Sequence, residues 1–269
     1  MKIYAYGIID SHNRLEESIA GLQGKVIYNV FYRDIAIAVS ELNEEIKEIT
    51  DTVILEYEKV VEKLMIKFTV LPMRFLTVFN TQEDILSMLE LYYEDFKNNL
   101  QRLFNKVEFG MKVIWPADTI KKRISDAYHR TIRVSLSTES PEKNFVEEKF
   151  KKYTVDKEFQ EEADRCITVV DDYFNKIAVE KRLKKLQTEN LLLNASYLLE
   201  KERQNDFKQA FEQLKNAPSD LRFLFSGPWP CYNFVTLTKN SVRDDYFNTE
   251  DMLNRLLAQQ GFAQERNSV

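Results

Sequence analysis

LPMRFLTVF, residues 71–79, decides how this chain folds. Pro72 disfavours the helical region for Leu71, and the β-branched and aromatic content that follows, Phe75, Thr77, Val78 and Phe79, favours an extended chain. The stretch reads as a strand with an irregular start. Both flanks read as helix. Upstream, Val53, Tyr57, Val60, Val61, Leu64, Met65 and Phe68 recur at three and four residues between Thr52 and Phe68, which stripes one helix face. Downstream, Thr81 stands where a cap belongs and Asp84 in the first turn. Ile85, Leu89, Tyr92, Phe96, Leu100 and Leu103 then continue as one long amphipathic helix.

Further out, Lys2–Ile9 is rich in Ile and Tyr and is followed by the turn residues Asp10, Ser11 and Asn13, so it reads as a first strand. Lys25–Phe31 and Ile35–Val39, separated by Tyr32, Arg33 and Asp34, have the spacing of a hairpin. Val107, Phe109, Met111, Val113 and Trp115 alternate with Glu108, Gly110, Lys112 and Ile114, the period of a half-buried strand, and Pro116 ends it. The order of strand, two strands, helix, strand, helix, strand predicts a ferredoxin-like α+β sandwich over residues 1–117.

Residues 118–156 are polar and charged and read as a helical connector. Phe159, Ala163, Cys166, Val170, Phe174 and Ile177 mark a long helix, with the basic run Lys181, Arg182, Lys184 and Lys185 at its far end. Leu191–Leu199 reads as a strand, Lys201–Leu214 as a helix and Leu221–Phe225 as a strand, with Tyr232–Leu237 pairing back. Residues 157–238 therefore form a smaller α+β domain whose pattern partly echoes the first. Residues 239–269 read as a tail with one apolar stripe, Met252, Leu253, Leu256 and Leu257.

A length of 269 residues suits two domains. With 38 Lys and Arg against 43 Asp and Glu, the net charge of −5 offers no broad positive field, so nucleic acid is not an expected partner. An RNA-binding sheet would also need a basic-aromatic strand signature that the strands lack. No run of about 18 apolar residues is present, and the N-terminal apolar run is too short for an export signal, so a cytoplasmic protein that does not enter a membrane is expected. The 2 cysteines, Cys166 and Cys231, are too few for a disulfide framework. His12 and His129 have no second ligand at metal spacing, and 6 glycines leave no phosphate-cradling loop. Glu56, Glu58 and Glu62 fall away from the apolar stripe of their helix and read as surface. No catalytic residue, metal or cofactor is expected. An enzyme on a ferredoxin-like scaffold is the alternative, and it would need a concave pocket with a perturbed group, such as a carboxylate near Arg74.

Two segments stand out. In LPMRF, Arg74 sits among apolar neighbours and must snorkel outward or find a structural ion pair. In SGPWPCYNF, residues 226–234, Gly227, Pro228 and Pro230 stiffen a bend that either presents Trp229 and Tyr232 to a protein partner or lets Trp229 plug the seam between the domains. Together, in this order, LPMRFLTVF and FSGPWPCYNFV resemble the paired signatures of the GvpF/GvpL family of gas vesicle proteins. Further similarity lies in the opening YAYGI, in VEFGMKV at 107–113 and in LLLNASYLLEKE at 191–202. One departure is Leu76, where family members often carry Gly after the Arg-Phe pair.

The resemblance implies a two-domain α+β accessory protein, located with the gas vesicle and active in its assembly or as a minor structural component. Its implied partners are the small hydrophobic shell protein and other accessory proteins, with no reaction implied. The residues expected to meet a partner are Arg74, Phe75, Val78, Phe79, Trp229, Tyr232 and Phe234.

Overall fold

The computed structural model describes residues 1–11, 15, 19–132 and 141–238, so His12 and the tail expected over 239–269 lie outside the described residues. The chain divides into two compact units. Unit 1 holds Met1–Phe109, Tyr197–Glu202 and the described part of Ser226–Val269; unit 2 holds Gly110–Ser196 and Arg203–Phe225. These ranges differ from the sequential domains 1–117 and 157–238 expected from composition, because the strand at 107–115 is paired into the second sheet and the chain returns to unit 1 twice.

The first sheet contains β1 (Lys2–Ile9), β2 (Tyr28–Tyr32), β3 (Ile35–Leu42) and β4 (Val70–Phe79) in the order β2-β3-β1-β4, each neighbouring pair antiparallel. The second contains β5 (Lys106–Ile114), β6 (Glu180–Lys185), β7 (Leu191–Glu200) and β8 (Arg222–Trp229) in the order β6-β7-β5-β8. In each sheet the first strand in sequence lies between the third and the fourth, which is the split βαβ arrangement, and it occurs twice in this one chain. In the first sheet β3 and β4 are linked by α1 (Asp51–Lys67); in the second, β5 and β6 are linked by α4 (Ala117–Ile132) and α5 (Pro141–Asp172), and β7 and β8 by α6 (Gln204–Asn216). The connector expected at 118–156 is thus the α4–α5 crossover of the second sheet.

Three other expectations change for local physical reasons. The single helix expected over 85–103 is two, α2 (Gln82–Leu91) and α3 (Tyr93–Arg102), hinged at Tyr92 (φ −115°, ψ 15°). Leu89, Tyr92, Tyr93 and Phe96 are all buried across the break. The expected cap is present as a capping box: Thr81 Oγ1 accepts from the Asp84 N–H at 3.1 Å and Asp84 Oδ2 from the Thr81 N–H at 3.1 Å. The basic run 181–185 belongs to β6, not to a helix end; Lys181 bonds Asp171 and Asn175, and Lys185 Nζ meets Asp164 Oδ1 at 2.8 Å. Finally, Tyr232–Leu237 does not pair back as a strand: β8 runs on through Gly227 and Pro228 to Trp229, and Tyr232–Phe234 is a short 3-10 turn.

Both faces of the first sheet are buried, and a bulge between Ala5 and Gly7 sets which side chains go where. Ile3, Ala5 and Ile8 join one cluster with Met88, Leu89, Phe96 and Leu100 of α2 and α3; Tyr4, Tyr6 and Ile9 join the other with Ile54, Tyr57, Val60, Val61 and Leu64 of α1. The alternation flips from odd to even residues across the extra residue, as a bulge requires. Gly7 is needed there, since a Cβ would lie 2.6 Å from Val70 Cγ1 and 3.2 Å from Leu71 O. Unit 2 is held largely by rings: Phe174 packs on Phe207 at 4.6 Å, Phe211 stacks on Phe225 at 4.2 Å, and Trp115 meets Phe159 at 4.7 Å.

Candidate partner-binding surface

β4 is an edge strand of the first sheet, so one side of its backbone has no partner strand in that sheet. Pairing with β1 jumps from Ala5↔Thr77 to Gly7↔Pro72, so Met73–Leu76 of β4 stand against the single residue Tyr6. The loop this forces out is braced from beneath. The buried Tyr57 hydroxyl lies 3.0 Å from Met73 O, 3.2 Å from Ala5 O and 3.3 Å from Tyr6 O, a shared donor for carbonyls that the bulge takes out of the ladder. Thr77 Oγ1 donates to Arg74 O at 2.8 Å. Phe75 packs edge-on against the Tyr57 ring, 5.1 Å between centroids at 87°.

The bulge turns Arg74 outward and exposed, leaves Phe75, Leu76 and Val78 half-buried on the α1 side, and buries Phe79. Leu76 has φ +59°, the left-handed region that costs a bulky side chain about 1–2 kcal/mol. A glycine would meet that backbone without strain, which gives a physical meaning to the departure noted in the sequence.

The second signature is placed differently. Trp229, Tyr232 and Phe234 are 6%, 5% and 0% exposed, so the partner contact expected of them is not available on the surface of unit 1. The segment plugs both sides of the first sheet: Trp229 and Tyr232 enter the α1-side cluster, while Cys231, Phe234, Val235 and Leu237 enter the α2/α3-side cluster. Trp229 Nε1 donates to Ser226 Oγ at 3.0 Å. The buried Glu108 carboxylate accepts from the Asn233 backbone N–H at 2.8 Å and from Asn233 Nδ2 at 2.5 Å. Asn99 of α3 clamps the next turn, donating to Thr236 O at 2.6 Å and accepting from the Thr236 N–H at 3.0 Å. Gly227, at φ +117°, is required by close approach: a Cβ would sit 2.8 Å from Glu108 O. Burial pushes the Cys231 thiol and the Tyr232 phenol far above their ordinary values, so both stay protonated and uncharged.

Sequence reasoning missed Glu58. Unlike Glu56, which accepts from the Gln23 N–H at 2.9 Å, Glu58 has a buried Oε1 without a hydrogen-bond partner. Burial, and then repulsion from Glu62 one turn on, push its carboxyl up to about 7. Its helix position alone reads as surface; only the packing shows otherwise.

Neither cleft described among these residues has Arg74 in its wall. In unit 1, a cleft of about 480 Å³ includes Asp10, Asp34, Lys97 and Phe104. There Lys97 Nζ bonds Asp34 Oδ2 at 2.5 Å, and this bond and one from Tyr93 hold the Asp34 carboxyl down at about 2, which commits it to an ion pair instead of proton exchange near neutrality. In unit 2, a cleft of about 600 Å³ is lined by α4, α5 and the turn after α6. Among the described residues no group of three or more His, Cys, Asp or Glu is gathered as metal ligands, and His129 Nε2 lies 2.7 Å from Lys151 Nζ.

The architecture thus defines an α+β protein with two sheets of one repeated strand order, a braced edge strand, and no described helix long and apolar enough to cross a membrane. The family profile described as gas vesicle synthesis protein GvpL/GvpF matches residues 2–236. The chain belongs to this family. It is 24% identical over 239 residues to gas vesicle protein F1 of Halobacterium salinarum, covering 87% of this chain and 93% of that one. It is 25% identical over 240 residues to gas vesicle protein F of Dolichospermum flosaquae, covering 87% and 98%. The crystal structure of GvpF from Anabaena sp. superposes with a TM-score of 0.75 at 21% identity, covering 88% of this chain and 99% of that chain, and GvpF from Microcystis aeruginosa with a TM-score of 0.73 at the same identity. At these identities the superpositions establish the fold.

Proposed function

We propose that this chain acts in gas vesicle formation by binding other polypeptides, as an assembly factor or a minor structural component located with the gas vesicle in the cytoplasm. Its partners are the hydrophobic shell protein and other accessory proteins. The observation that carries this reading is the β4 edge: an exposed cation, Arg74, beside half-buried Phe75, Leu76 and Val78, on an edge strand whose bulge is braced by the Tyr57 hydroxyl. A very apolar shell subunit needs its surface covered before it joins a growing wall, and an edge strand bearing aromatic and aliphatic side chains offers both backbone pairing and apolar cover. Phe79, Trp229, Tyr232 and Phe234 serve this surface from below as packing.

The test is retention of the host shell protein on the immobilised full chain. Arg74→Glu, at an exposed position, should weaken retention about tenfold or more, with thermal melting of the chain itself nearly unchanged. Val78→Asp should weaken it by at least as much while lowering the melting temperature, because Val78 is half-buried. Retention that is indifferent to both substitutions would remove β4 as the contact surface.

A further inference from the structure

Unit 2 carries a second surface of a different kind. On α5 and the residue just after it, Glu162, Arg165, Cys166, Val169, Val170 and Tyr173 fall at i, i+3, i+4, i+7, i+8 and i+11, and all six line the 600 Å³ cleft. A stripe with that spacing is how a helix faces a core. Here one side of it is left uncovered: Val169, in its middle, is 60% exposed and Cys166 is half-buried, while Val170 beside them is buried. At about 1.5 Å per residue the stripe runs about 16 Å, three helical turns. The other walls are Trp115 to Arg123, leading into α4, and Leu214 with the turn at 217–221 that follows α6. The trough therefore has the length and apolar lining of a groove that receives a helix.

Two guanidiniums meet at the α4–α5 wall. Glu162 Oε1 accepts from Arg123 Nη2 at 2.9 Å and Glu162 Oε2 from Arg165 Nη2 at 2.7 Å, so the two share one carboxylate, and Glu161 and Glu158 on the same helix also act on Arg165. Both guanidinium side chains are more than 60% exposed, within reach of an incoming group. The remaining charged lining residue, Asp220, belongs to the turn after α6.

We propose that this trough seats an amphipathic α-helix of a partner polypeptide, with its apolar stripe against Ile120, Val169 and Leu221 and a carboxylate of its own between Arg123 and Arg165. This surface belongs to unit 2 and the β4 edge to unit 1, so the two differ in the partner they suit, an extended or apolar one at β4 and a helical one in unit 2.

Cys166 supplies the reporter, because it lies in the trough wall while Cys231 is only 3% exposed. The probes are overlapping peptides, about 18 residues long, tiled across the gas vesicle proteins of the host, each titrated against the full chain while thiol modification of Cys166 is timed. A helical peptide with a carboxylate beside its apolar stripe should slow modification about tenfold or more. Val169→Asp should abolish that protection, Arg165→Glu should weaken it about tenfold, and replacing the peptide's carboxylate with Lys should restore binding to the Arg165→Glu chain. Both substitutions are at exposed positions, and unchanged melting temperature verifies the fold. The proposal is overturned if no peptide protects Cys166, or if protection persists in both variants. Loss of shell protein at β4 with Cys166 protection intact leaves this second seat standing on its own.

Discussion

The segments 71–79 and 226–234 are alike in sequence and unlike in place. Each sets aromatic residues near proline, and each reads as a candidate contact for a partner. In the fold, β4 lies at the edge of its sheet with Arg74 outside and Phe75, Leu76 and Val78 half-covered, whereas Trp229, Tyr232 and Phe234 are wedged into both cores of unit 1. The difference lies in what each backbone does with its neighbours. An edge strand leaves one side open, and its bulge swings side chains outward. The 226–234 segment is wedged between two apolar clusters and pinned by Asn233, Asn99 and Glu108. An aromatic in an irregular segment is thus half-covered at a sheet edge in one case and a keystone in the other, and substitutions should separate the two.

The largest effect belongs to the buried segment. Phe234→Ala and Trp229→Ala should each cost about 3–5 kcal/mol, measured by urea unfolding, because a cavity opens in a packed cluster. A loss below about 1 kcal/mol would mean that the segment is a surface after all. Phe75→Ala comes next: it removes the edge-on contact with Tyr57 but only half-buried area, so about 1–2 kcal/mol is expected, with a larger relative effect on shell-protein retention than on stability.

Glu58 sharpens the comparison from the α1 side. Its carboxyl titrates near 7 in the folded chain against about 4.5 when unfolded, so the folded state holds the proton more tightly. Stability is therefore highest at pH below about 4.5 as far as this group is concerned, falls as pH rises toward 7, and is flat above. Because the side chain is only partly buried, the span is about 1 kcal/mol after allowance for solvent. Glu58→Gln should remove that slope, leaving the variant about 1 kcal/mol more stable than the parent at pH 8 and equal to it near pH 4. A variant that gains nothing at pH 8 would show that the carboxylate is hydrated. The smallest effect is expected for Leu76→Gly. Relief of the left-handed strain is offset by a freer unfolded chain and by lost side-chain cover, which keeps the net change within about 1 kcal/mol.

Much of the fold was legible. The alternation in Val107–Trp115, the stripe of α1 and the capping signal at Thr81 and Asp84 are local patterns, and local hydrogen bonding and burial follow them. Partner strands were not legible. β5 reads equally well as the last strand of the first sheet or the first strand of the second, since its alternation says only that one face is covered. The break at Tyr92 was hidden because the stripe Ile85, Leu89, Tyr92, Phe96, Leu100 and Leu103 keeps its helical spacing across it. Of the residues expected to meet a partner, Arg74 is exposed and Phe75 and Val78 are half-buried, whereas Phe79 and the three aromatics of the second segment are buried. The Arg123–Glu162–Arg165 group gave no signal, because residues 39 positions apart meet only when α4 and α5 pack.

The sequence by itself determined most of the strands and helices, the mixed α+β class, the family likeness, and the unusual residue at position 76. These depend on periodicity, capping and backbone preference, which act over a few residues. Tertiary structure alone decided that the 2-3-1-4 order is used twice, that β4 is an edge, that Trp229 is interior, and that α5 leaves Val169 uncovered. Those outcomes depend on which surfaces meet across long stretches of chain, and burial is a property of the meeting and not of either residue.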